Sequence, residues 1–454
     1  MYNDTITAIS TPEGIGAVGM VRIAGEKAFE IAKKIISRKS DIIEPRRIYL
    51  GVIRDESGLA IDEVTFAFFP APHSYCGDDT VEIFTHANPV LMDMVIDRIL
   101  SQGARMALPG EFTRRAFLNG KIDLTQAESV ADIINARAQE EVKTAAKMIS
   151  GKFSAKVKQI RDSLIDIIAW TEASIDFPED EDAVFIQKKQ FEEKLRLIID
   201  STKVMAQSYK QGKLIRDGIR ITIAGRTNAG KSSLMNAIFD EEKSIVTPIH
   251  GTTRDIVEGT LNIEGVKVIF RDTAGLRKPK DIVEREGIRR AQASVVSSDM
   301  VLYIIDGSLN PSLADKKFLD RLKNKNVVAV INKTDISSDT VKSAYCDYDK
   351  PVCFVSAKTH HGILELMDII GRFIRSSIRQ KEGCDFAVNL RQHKCLKAAL
   401  TSLRNAKKAI SAGISEEFFV EHLKDTARHF GEITGAITSD DILDRIFSSF
   451  CIGK

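Results

Sequence analysis

Between residues 125 and 170 the apolar positions fall at helical spacing. Ala127, Ala131, Ile134, Ala138, Ala145 and Met148 recur at steps of three, four and seven, and Val157, Ile160, Leu164, Ile167 and Trp170 repeat the pattern, so each set lies on one helix face. Thr125-Gln126-Ala127-Glu128 reads as a capping box at the start of the first helix, and Gly151 as its stop. The acidic run 179–182 reads as a solvated turn before a third helix, predicted over about 185–212. Three long amphipathic helices need further helices to close a bundle. From Ile219 the pattern changes to short apolar runs at 219–224, 266–270, 300–305, 327–331 and 352–355, alternating with helical stretches. That alternation predicts an α/β unit with a largely parallel sheet. After about Gly371 the helical spacing returns, with Leu396, Leu403 and Ile410 on one side, then helices at 416–430 and 442–450.

The first 119 residues have a mixed texture. Strand-like runs at 5–9, 64–69 and 80–84, a helical stretch at 27–36 and interspersed Pro and Gly predict an α+β domain. The chain is therefore expected to be multidomain. An N-terminal α+β domain (1–119) precedes a helical domain in two parts (120–216 and 377–454), with an α/β domain (217–376) inserted between them. At 454 residues the length suits about three domains of roughly 150 residues. Lysine and arginine outnumber aspartate and glutamate by only two charges, which excludes one large basic surface for nucleic acid but leaves local patches open. No apolar run reaches the roughly 18–20 residues of a membrane span, and the start lacks a secretory signal. The six cysteines are scattered without a CxxC pair, as suits reduced thiols in a cytoplasmic protein.

The α/β unit carries the chemistry. Gly225-Arg226-Thr227-Asn228-Ala229-Gly230-Lys231-Ser232 follows a strand and opens a helix at Ser233. Its glycines let successive amides turn toward phosphate oxygens, Lys231 reaches the outer phosphates, and Ser232 can hold Mg²⁺. The helix start adds positive potential. Asp272-Thr273-Ala274-Gly275 follows the next strand; Asp272 can hold Mg²⁺ through water and Gly275 can offer an amide to a γ-phosphate. Asn332-Lys333-Thr334-Asp335 follows the strand at 327–331. Asp335 can accept two hydrogen bonds from guanine N1–H and the exocyclic amine, which adenine could not offer. Ser356-Ala357-Lys358 after the last strand can complete the base pocket. Three phosphate and base motifs on successive strand ends predict a GTP site. The loop 247–255, with Thr247, Ile249, Gly251, Thr252 and Thr253, sits where a switch loop closes on Mg²⁺ and γ-phosphate. Where many GTPases have a water-orienting glutamine this chain has Leu276. Either hydrolysis is slow, or another group orients the water; Glu284 lies in the nearest acidic stretch.

Together these motifs, the stretch Leu108-Pro109-Gly110-Glu111-Phe112-Thr113 and the tail Phe450-Cys451-Ile452-Gly453-Lys454 resemble the tRNA modification GTPase MnmE (TrmE) family over essentially the whole chain. The resemblance implies a homodimer whose GTPase domains meet across a potassium ion held by Asn228, Thr247, Ile249 and Thr252. Thr253 would be a Mg²⁺ ligand and Glu284 the acid that orients water. It also implies a tetrahydrofolate one-carbon donor (5-formyl or 5,10-methylene) bound in the N-terminal domain by Arg22, Glu82, Lys121 and Lys454. Cys451 is a candidate at the modification site. Such proteins act with the flavoprotein MnmG, in a heterotetramer, to add aminomethyl or carboxymethylaminomethyl groups to the wobble uridine of certain tRNAs. Two departures stand out: Thr227 replaces a frequent proline, and Thr85-His86-Ala87-Asn88-Pro89 replaces a frequent His-Gly-Gly. The Gly14/Gly16/Gly19 pattern is not expected to bind a dinucleotide, because strand-like residues follow it where a helix should start. Two other classes fit parts of the pattern: a ribosome-assembly GTPase, though no G-x-x-G follows Gly371, and a folate aminomethyltransferase with a regulatory domain.

Overall fold

Alternating residues along β1 (Ile6–Ile9), β2 (Gly16–Ala24), β4 (Ile48–Arg54), β5 (Ala60–Phe69) and β6 (Thr80–Ala87) give each strand two different faces. With the two-residue strands β3 (Ile36–Ser37) and β7 (Arg105–Met106), they form a seven-stranded sheet in the order β3-β4-β5-β6-β2-β1-β7. Pairing is antiparallel except between β1 and β7. The computed structural model describes residues 4–38, 43–176, 188–241, 258–272, 295–310, 312–322, 325–338, 343, 350–378 and 386–454.

On one face of this sheet, Val21, Ile23, Val64, Phe66, Val81 and Ile83 pack with Ile31 and Ile35 of α1 (Ala28–Ile35) and Val95 and Ile99 of α2 (Pro89–Leu100). The other face carries Ala8, Ala24 and Phe112, the last from α3 (Glu111–Leu118). Arg22 lies between Val21 and Ile23 along β2 and so points to this second face. The Gly14/Gly16/Gly19 segment leads into strand β2 rather than a helix. At Gly19 a Cβ would come within 2.6 Å of Met92 Sδ, so close packing of α2 accounts for the missing side chain.

By contacts the chain divides into two units. One comprises residues 1–135, 145–203 and 391–454, the other 136–144 and 204–390. The first unit adds to its sheet the helices α4 (Leu124–Asn135), α6 (Lys152–Asp176), α7 (Lys188–Gln207), α12 (Leu390–Ser411), α13 (Glu416–Thr434) and α14 (Asp440–Phe447); α5 (Gln139–Ile149), α8 (Tyr209–Asp217), α9 (Lys231–Glu241), α10 (Leu313–Arg321) and α11 (Ile363–Ile378) complete the series. Phe153, Val157, Ile160, Leu164 and Ile167 form a buried seam on α6, along which α13 packs. At roughly 1.5–3 kcal/mol per fully buried apolar side chain, this seam rather than helix propensity holds the bundle. Leu443, Phe447 and Phe450 pack on Leu124 and Ala127, which fixes the chain just before its last residues.

Three details of the helical reading change. The helix expected to run through 127–148 is broken at 136–138. There Asn135 Nδ2 turns back to the Ala131 carbonyl and the Glu141 carboxylate caps Arg137 N–H at 2.8 Å, so side chains supply the partners a continuous helix would have supplied. The capping box is displaced by two residues. Asp123 accepts from the amides of Thr125 and Gln126, and Gln126 Oε1 accepts from Asp123 N–H, because an ionised carboxylate is the stronger cap. Glu128 is left free to bind Arg391. The third helix ends at Gln207, and α8 follows after Ser208.

The second unit holds a six-stranded sheet in the order β13-β12-β11-β8-β10-β9. It comprises β8 (Ile219–Gly225), β9 (Glu258–Ile263), β10 (Val266–Asp272), β11 (Met300–Asp306), β12 (Asn326–Asn332) and β13 (Val352–Phe354), parallel throughout except where β9 pairs with β10. Ile219, Ile221, Ile223, Val268, Phe270, Leu302, Ile304, Val328 and Val330 pack with Leu234 and Ile238 of α9 and with Leu366 and Ile370 of α11. In such a sheet the loops at the carboxyl ends of neighbouring parallel strands converge, which is where ligands bind.

Candidate functional site

At the carboxyl end of β8 the chain turns through three left-handed or glycine-only conformations, Gly225 (φ 152°), Asn228 (φ 63°) and Gly230 (φ 89°), before α9 begins at Lys231. The glycines are required by space as well as by torsion. A Cβ on Gly225 would lie 2.3 Å from the Ile304 carbonyl oxygen, and one on Gly230 would lie 2.2 Å from Asn332 Nδ2. Lys231 is buried, and its ammonium donates to the carbonyls of Gly225 and Arg226 at 3.1 and 2.8 Å. Ser232 Oγ donates to Asp272 Oδ2 at 2.8 Å. A hydroxyl and a carboxylate in contact beside a phosphate loop are the hard oxygen donors that Mg²⁺ takes. Ser233 is exposed on the first turn of α9.

The end of β12 joins this loop to the base-side residues. Buried Asn332 donates from Nδ2 to the Ala229 carbonyl at 3.0 Å and accepts from the Ala357 amide at 3.0 Å. One side chain thus ties the phosphate loop to the 356–358 turn. Asp335 Oδ1 accepts from Ser356 Oγ at 2.8 Å, and Ser356 Oγ in turn accepts from Thr359 N–H at 3.2 Å. That chain orients the carboxylate. Lys333, with φ 64°, donates to Asp306 Oδ2, while Lys358 flanks the turn, exposed. Asn228, Ala229, Gly230, Lys231, Ser232, Asp272, Asn332, Lys333, Asp335, Ser356 and Ala357 therefore gather along one edge of one sheet. Thr247, Ile249, Gly251, Thr252, Thr253, Thr273, Ala274, Gly275, Leu276 and Glu284 lie outside the described residues.

Asp306 was not among the sequence candidates. It ends β11, and its carboxyl is held below the usual carboxylate range: partial burial pushes it up, but the hydrogen bonds from Lys333 and Ser308 outweigh that. The available signal was an acid closing a buried strand directly beside the β12 motif. Asp306→Ala should release Lys333 and raise the KM for GTP about three- to tenfold with kcat little changed. A partly buried charged hydrogen bond of roughly 1 kcal/mol sets that size, and steady-state kinetics read it.

A second cluster lies in the first unit. Arg22 and Glu82 are directly opposite on β2 and β6, joined from Nε and Nη2 to Oε1 at 3.1 and 2.8 Å. The guanidinium lies over the rings of Tyr75 and Phe112, 5.2 and 5.4 Å from their centroids. Arg22 is only 6% exposed, and its Nη1 is buried with no hydrogen-bond partner among the described residues. The 450–454 segment reaches the same place. Ser10 Oγ donates to the Gly453 carbonyl at 3.0 Å, and Phe112 N–H donates to the Lys454 backbone oxygen at 3.1 Å. Burial and the neighbouring Arg22 push the Lys454 ammonium below the usual lysine range, against the pull of Glu82. Two cations face one carboxylate here, so an anionic ligand would be favoured. Lys121 instead donates to the Pro72 carbonyl at 3.0 Å. The Cys451 side chain is exposed, with its carbonyl accepting from Gly110 N–H at 3.4 Å. Tyr75 and Phe112 were not anticipated, since ring contacts across the fold leave no local sequence signal.

The 108–113 stretch also acquires a role. Glu111, 3% exposed, binds Arg105 and Arg115 and caps Leu108 N–H, and Asp4 pairs with the same two arginines. Burial works to raise the Glu111 carboxyl, but the two guanidiniums hold it below the usual range. This network locks β7 and α3 beside β1. Among the described residues no group of His, Cys, Asp and Glu forms a ready metal cluster, and no helix is long and apolar enough to cross a membrane.

Residues 5–121 match the family described as GTP-binding protein TrmE N-terminus, and residues 124–451 the family described as MnmE helical domain. The tRNA modification GTPase MnmE of Aquifex aeolicus (strain VF5) is 38% identical over 452 residues, covering 99% of this chain and 100% of that protein. The protein of the same name from Syntrophus aciditrophicus (strain SB) is 39% identical over 460 residues, covering 100% of both. Among solved structures, Aquifex aeolicus Era bound to GDP and AlF4⁻ is similar over 40% of this chain and 66% of that one, with 26% identity and a TM-score of 0.28. Full-length matches at this identity, on top of the phosphate loop and its base-side partners, settle the lineage: the chain belongs to the MnmE (TrmE) family of tRNA modification GTPases.

Proposed function

We propose that this chain, a GTP hydrolase of tRNA modification, uses GTP turnover to power installation of an aminomethyl-type group on a tRNA wobble uridine. The observation that carries the reading is the continuous hydrogen-bonded line from Lys231 and the phosphate loop through Asn332 to Ser356 and Asp335. In this reading the domains are 1–119, 120–216 with 377–454, and an inserted 217–376. The protein works in the cytoplasm as a homodimer, with the flavoprotein MnmG completing a heterotetramer.

The chain's own residues divide the task. Lys231 and the 225–230 amides hold the outer phosphates, and Asp335, oriented by Ser356, selects guanine. Ser232 and Asp272, with Thr253, would hold Mg²⁺, which when bound offsets charge on the β- and γ-phosphates. Asn228, Thr247, Ile249 and Thr252 are neutral oxygen donors suited to a potassium ion, which would supply positive charge to the same phosphates. Gly251, Thr273, Ala274 and Gly275 complete the γ-phosphate contacts, and Glu284 orients the attacking water in place of the glutamine that Leu276 does not provide. At the second site, Arg22 and Lys454 offer cations to a folate's carboxylates beside Glu82, and Lys121, now donating to the Pro72 carbonyl, would have to turn from that partner to join them. The buried, unsatisfied Arg22 Nη1 and the partly buried Lys454 ammonium fit an anionic ligand. Cys451, exposed, lies three residues before Lys454 on the same short segment.

GTP hydrolysis by the purified protein should be at least tenfold faster in potassium than in sodium salts. Glu284→Ala should lower kcat by about 10²-fold, the scale of a lost general base or water-orienting group, with GTP affinity nearly unchanged. Equal rates in the two salts remove potassium from the reading, and a matching collapse of affinity makes Glu284 structural.

A further inference from the structure

Helix α12 (Leu390–Ser411) contains no acidic residue and seven basic or potentially basic ones. Its apolar side (Leu396, Ala399, Leu400, Leu403, Ala406, Ala409) is buried. Lys394, Lys397, Thr401, Arg404, Lys408 and Ser411 follow one another at steps of three and four and are all exposed, with Asn405 and Lys407 beside them. Residues at that spacing share one face of a helix, and Lys394 to Lys408 spans about 20 Å at 1.5 Å per residue.

Such charge is ordinarily neutralised by neighbouring acids, and here it is not. Among the described residues, Lys394, Lys397, Arg404, Lys407 and Lys408 take part in no ion pair. Of the acids of α13, Glu421 pairs with Lys424, Asp425 with Arg428, and Glu432 with Arg428 and His429, while, among the described residues, exposed Glu417 forms no ion pair with the ridge. Glu416 accepts from Ser174, and Glu128 is held by Arg391. A long positive ridge with no counter-charge of its own is an electrostatic footprint for a polyanion.

The side chains between the cations distinguish the kind of polyanion. A helix that lies on a lipid surface needs large apolar residues on the exposed face, and a protein partner needs an apolar or aromatic centre. The α12 ridge offers Thr401, Asn405 and Ser411 instead; Leu390 and Ile414 are exposed only beyond its two ends. Hydroxyl and amide groups among lysines and arginines are the set that contacts phosphate and sugar oxygens.

We infer that the exposed ridge of α12, centred on Lys394, Lys397, Arg404 and Lys408, is a docking surface for the sugar–phosphate backbone of RNA. This rests on the tRNA-modifying function proposed above and names the surface that would hold the substrate. The contact is electrostatic and independent of base sequence, so it positions the tRNA while specificity resides elsewhere.

The test compares full-length wild-type protein with the quadruple variant Lys394→Gln/Lys397→Gln/Arg404→Gln/Lys408→Gln. A charge-matched control carries Lys147→Gln/Lys152→Gln/Lys156→Gln/Lys158→Gln. Fluorescence anisotropy measures binding of an unmodified tRNA transcript between about 50 and 200 mM KCl, and GTP turnover without tRNA serves as the folding control. The ridge variant should bind at least tenfold more weakly and lose about 3–3.5 from the slope of log K against log salt, at roughly 0.7–0.9 for each of the four phosphate contacts removed. The control variant should keep the wild-type slope, and both should keep wild-type GTP turnover. Binding by the ridge variant within twofold of wild type, with an unchanged slope, overturns the assignment while leaving the modifying function intact. Loss in both variants alike reduces the ridge to general charge and overturns it too. Wild-type protein that binds no tRNA removes both readings. Ridge-dependent flotation with phosphatidylserine vesicles, without an effect on tRNA, reassigns the surface to a membrane.

Discussion

Asp335→Asn should lower GTP affinity by about 10²–10⁴-fold and make xanthosine triphosphate the better ligand. The Asp335 carboxylate is fixed by Ser356 Oγ at 2.8 Å, and Ser356 is fully buried. Its remaining acceptor capacity faces donors that come as a pair on guanine, N1–H and the exocyclic amine. Two hydrogen bonds to a charged acceptor, at roughly 1.5–3 kcal/mol each, give the stated range. An asparagine presents one acceptor and one donor there, which pair with the N1–H and the 2-oxo group of xanthine. Calorimetric titration with both nucleotides reads the exchange directly. Unchanged GTP affinity would place the base elsewhere and leave the 356–358 turn without a part in nucleotide recognition.

Gly453→Ala should abolish wobble-uridine modification while leaving GTP turnover at the wild-type level. Gly453 has φ 95°, and a Cβ there would lie 2.0 Å from the Ile9 carbonyl oxygen. Alanine in this conformation costs roughly 1–3 kcal/mol, and with the collision against the Ile9 carbonyl added, the total exceeds what the segment's three hydrogen bonds at about 1 kcal/mol each can offset. The 451–454 segment should leave its seat, removing Lys454 from the neighbourhood of Arg22 and Glu82 and displacing Cys451 with it. Binding of a reduced folate should fall at least tenfold in the same variant. The docked Lys454 ammonium loses its proton at a lower pH than a free lysine. The docked form therefore binds fewer protons, and docking tightens as pH rises from the depressed value toward 10.5; below the depressed value pH has no effect. Protection of the 451–454 amides from hydrogen exchange should follow that sign. A variant with normal modification would show that the segment is only a structural clasp.

These expectations mix features readable in the chain with others that are not, and the difference is physical. The buried parallel strands of the second unit were legible because a strand covered on both faces is a continuous apolar run. All five predicted runs correspond to strands β8, β10, β11, β12 and β13 within two residues. The phosphate loop was legible because its glycines answer a local torsional need. β9, with its alternating pattern on the edge of the sheet, went unread, as did α2, whose apolar residues (Met92, Val95, Ile96, Ile99) crowd a short helix. The capping box was misplaced by two residues because Asp123 and Thr125 both head plausible boxes, and only the distant Arg391 decides that Glu128 is needed elsewhere. Arg22, Glu82 and Lys454 were named through family resemblance alone. Arg22 and Glu82 meet through the register of β2 and β6, and Lys454 reaches them only through long-range contacts of its segment with Ser10 and Phe112, which no local pattern encodes. Asp306, Tyr75 and Phe112 act on other side chains rather than through a motif of their own: Asp306 offered only its place at a strand end, and Phe112, though inside the 108–113 stretch, gave no sign of its ring contact with Arg22.

The most direct test of the link between the nucleotide site and RNA modification is mass spectrometry of tRNA nucleosides from cells whose only copy of this protein carries Lys231→Ala. Lys231 is the buried cation of the phosphate loop, so the variant should fold yet fail to turn over GTP. The expected result is wobble uridine lacking its aminomethyl-type substituent, as in cells without the protein. Full modification by a variant that hydrolyses no GTP would contradict the coupling of hydrolysis to modification.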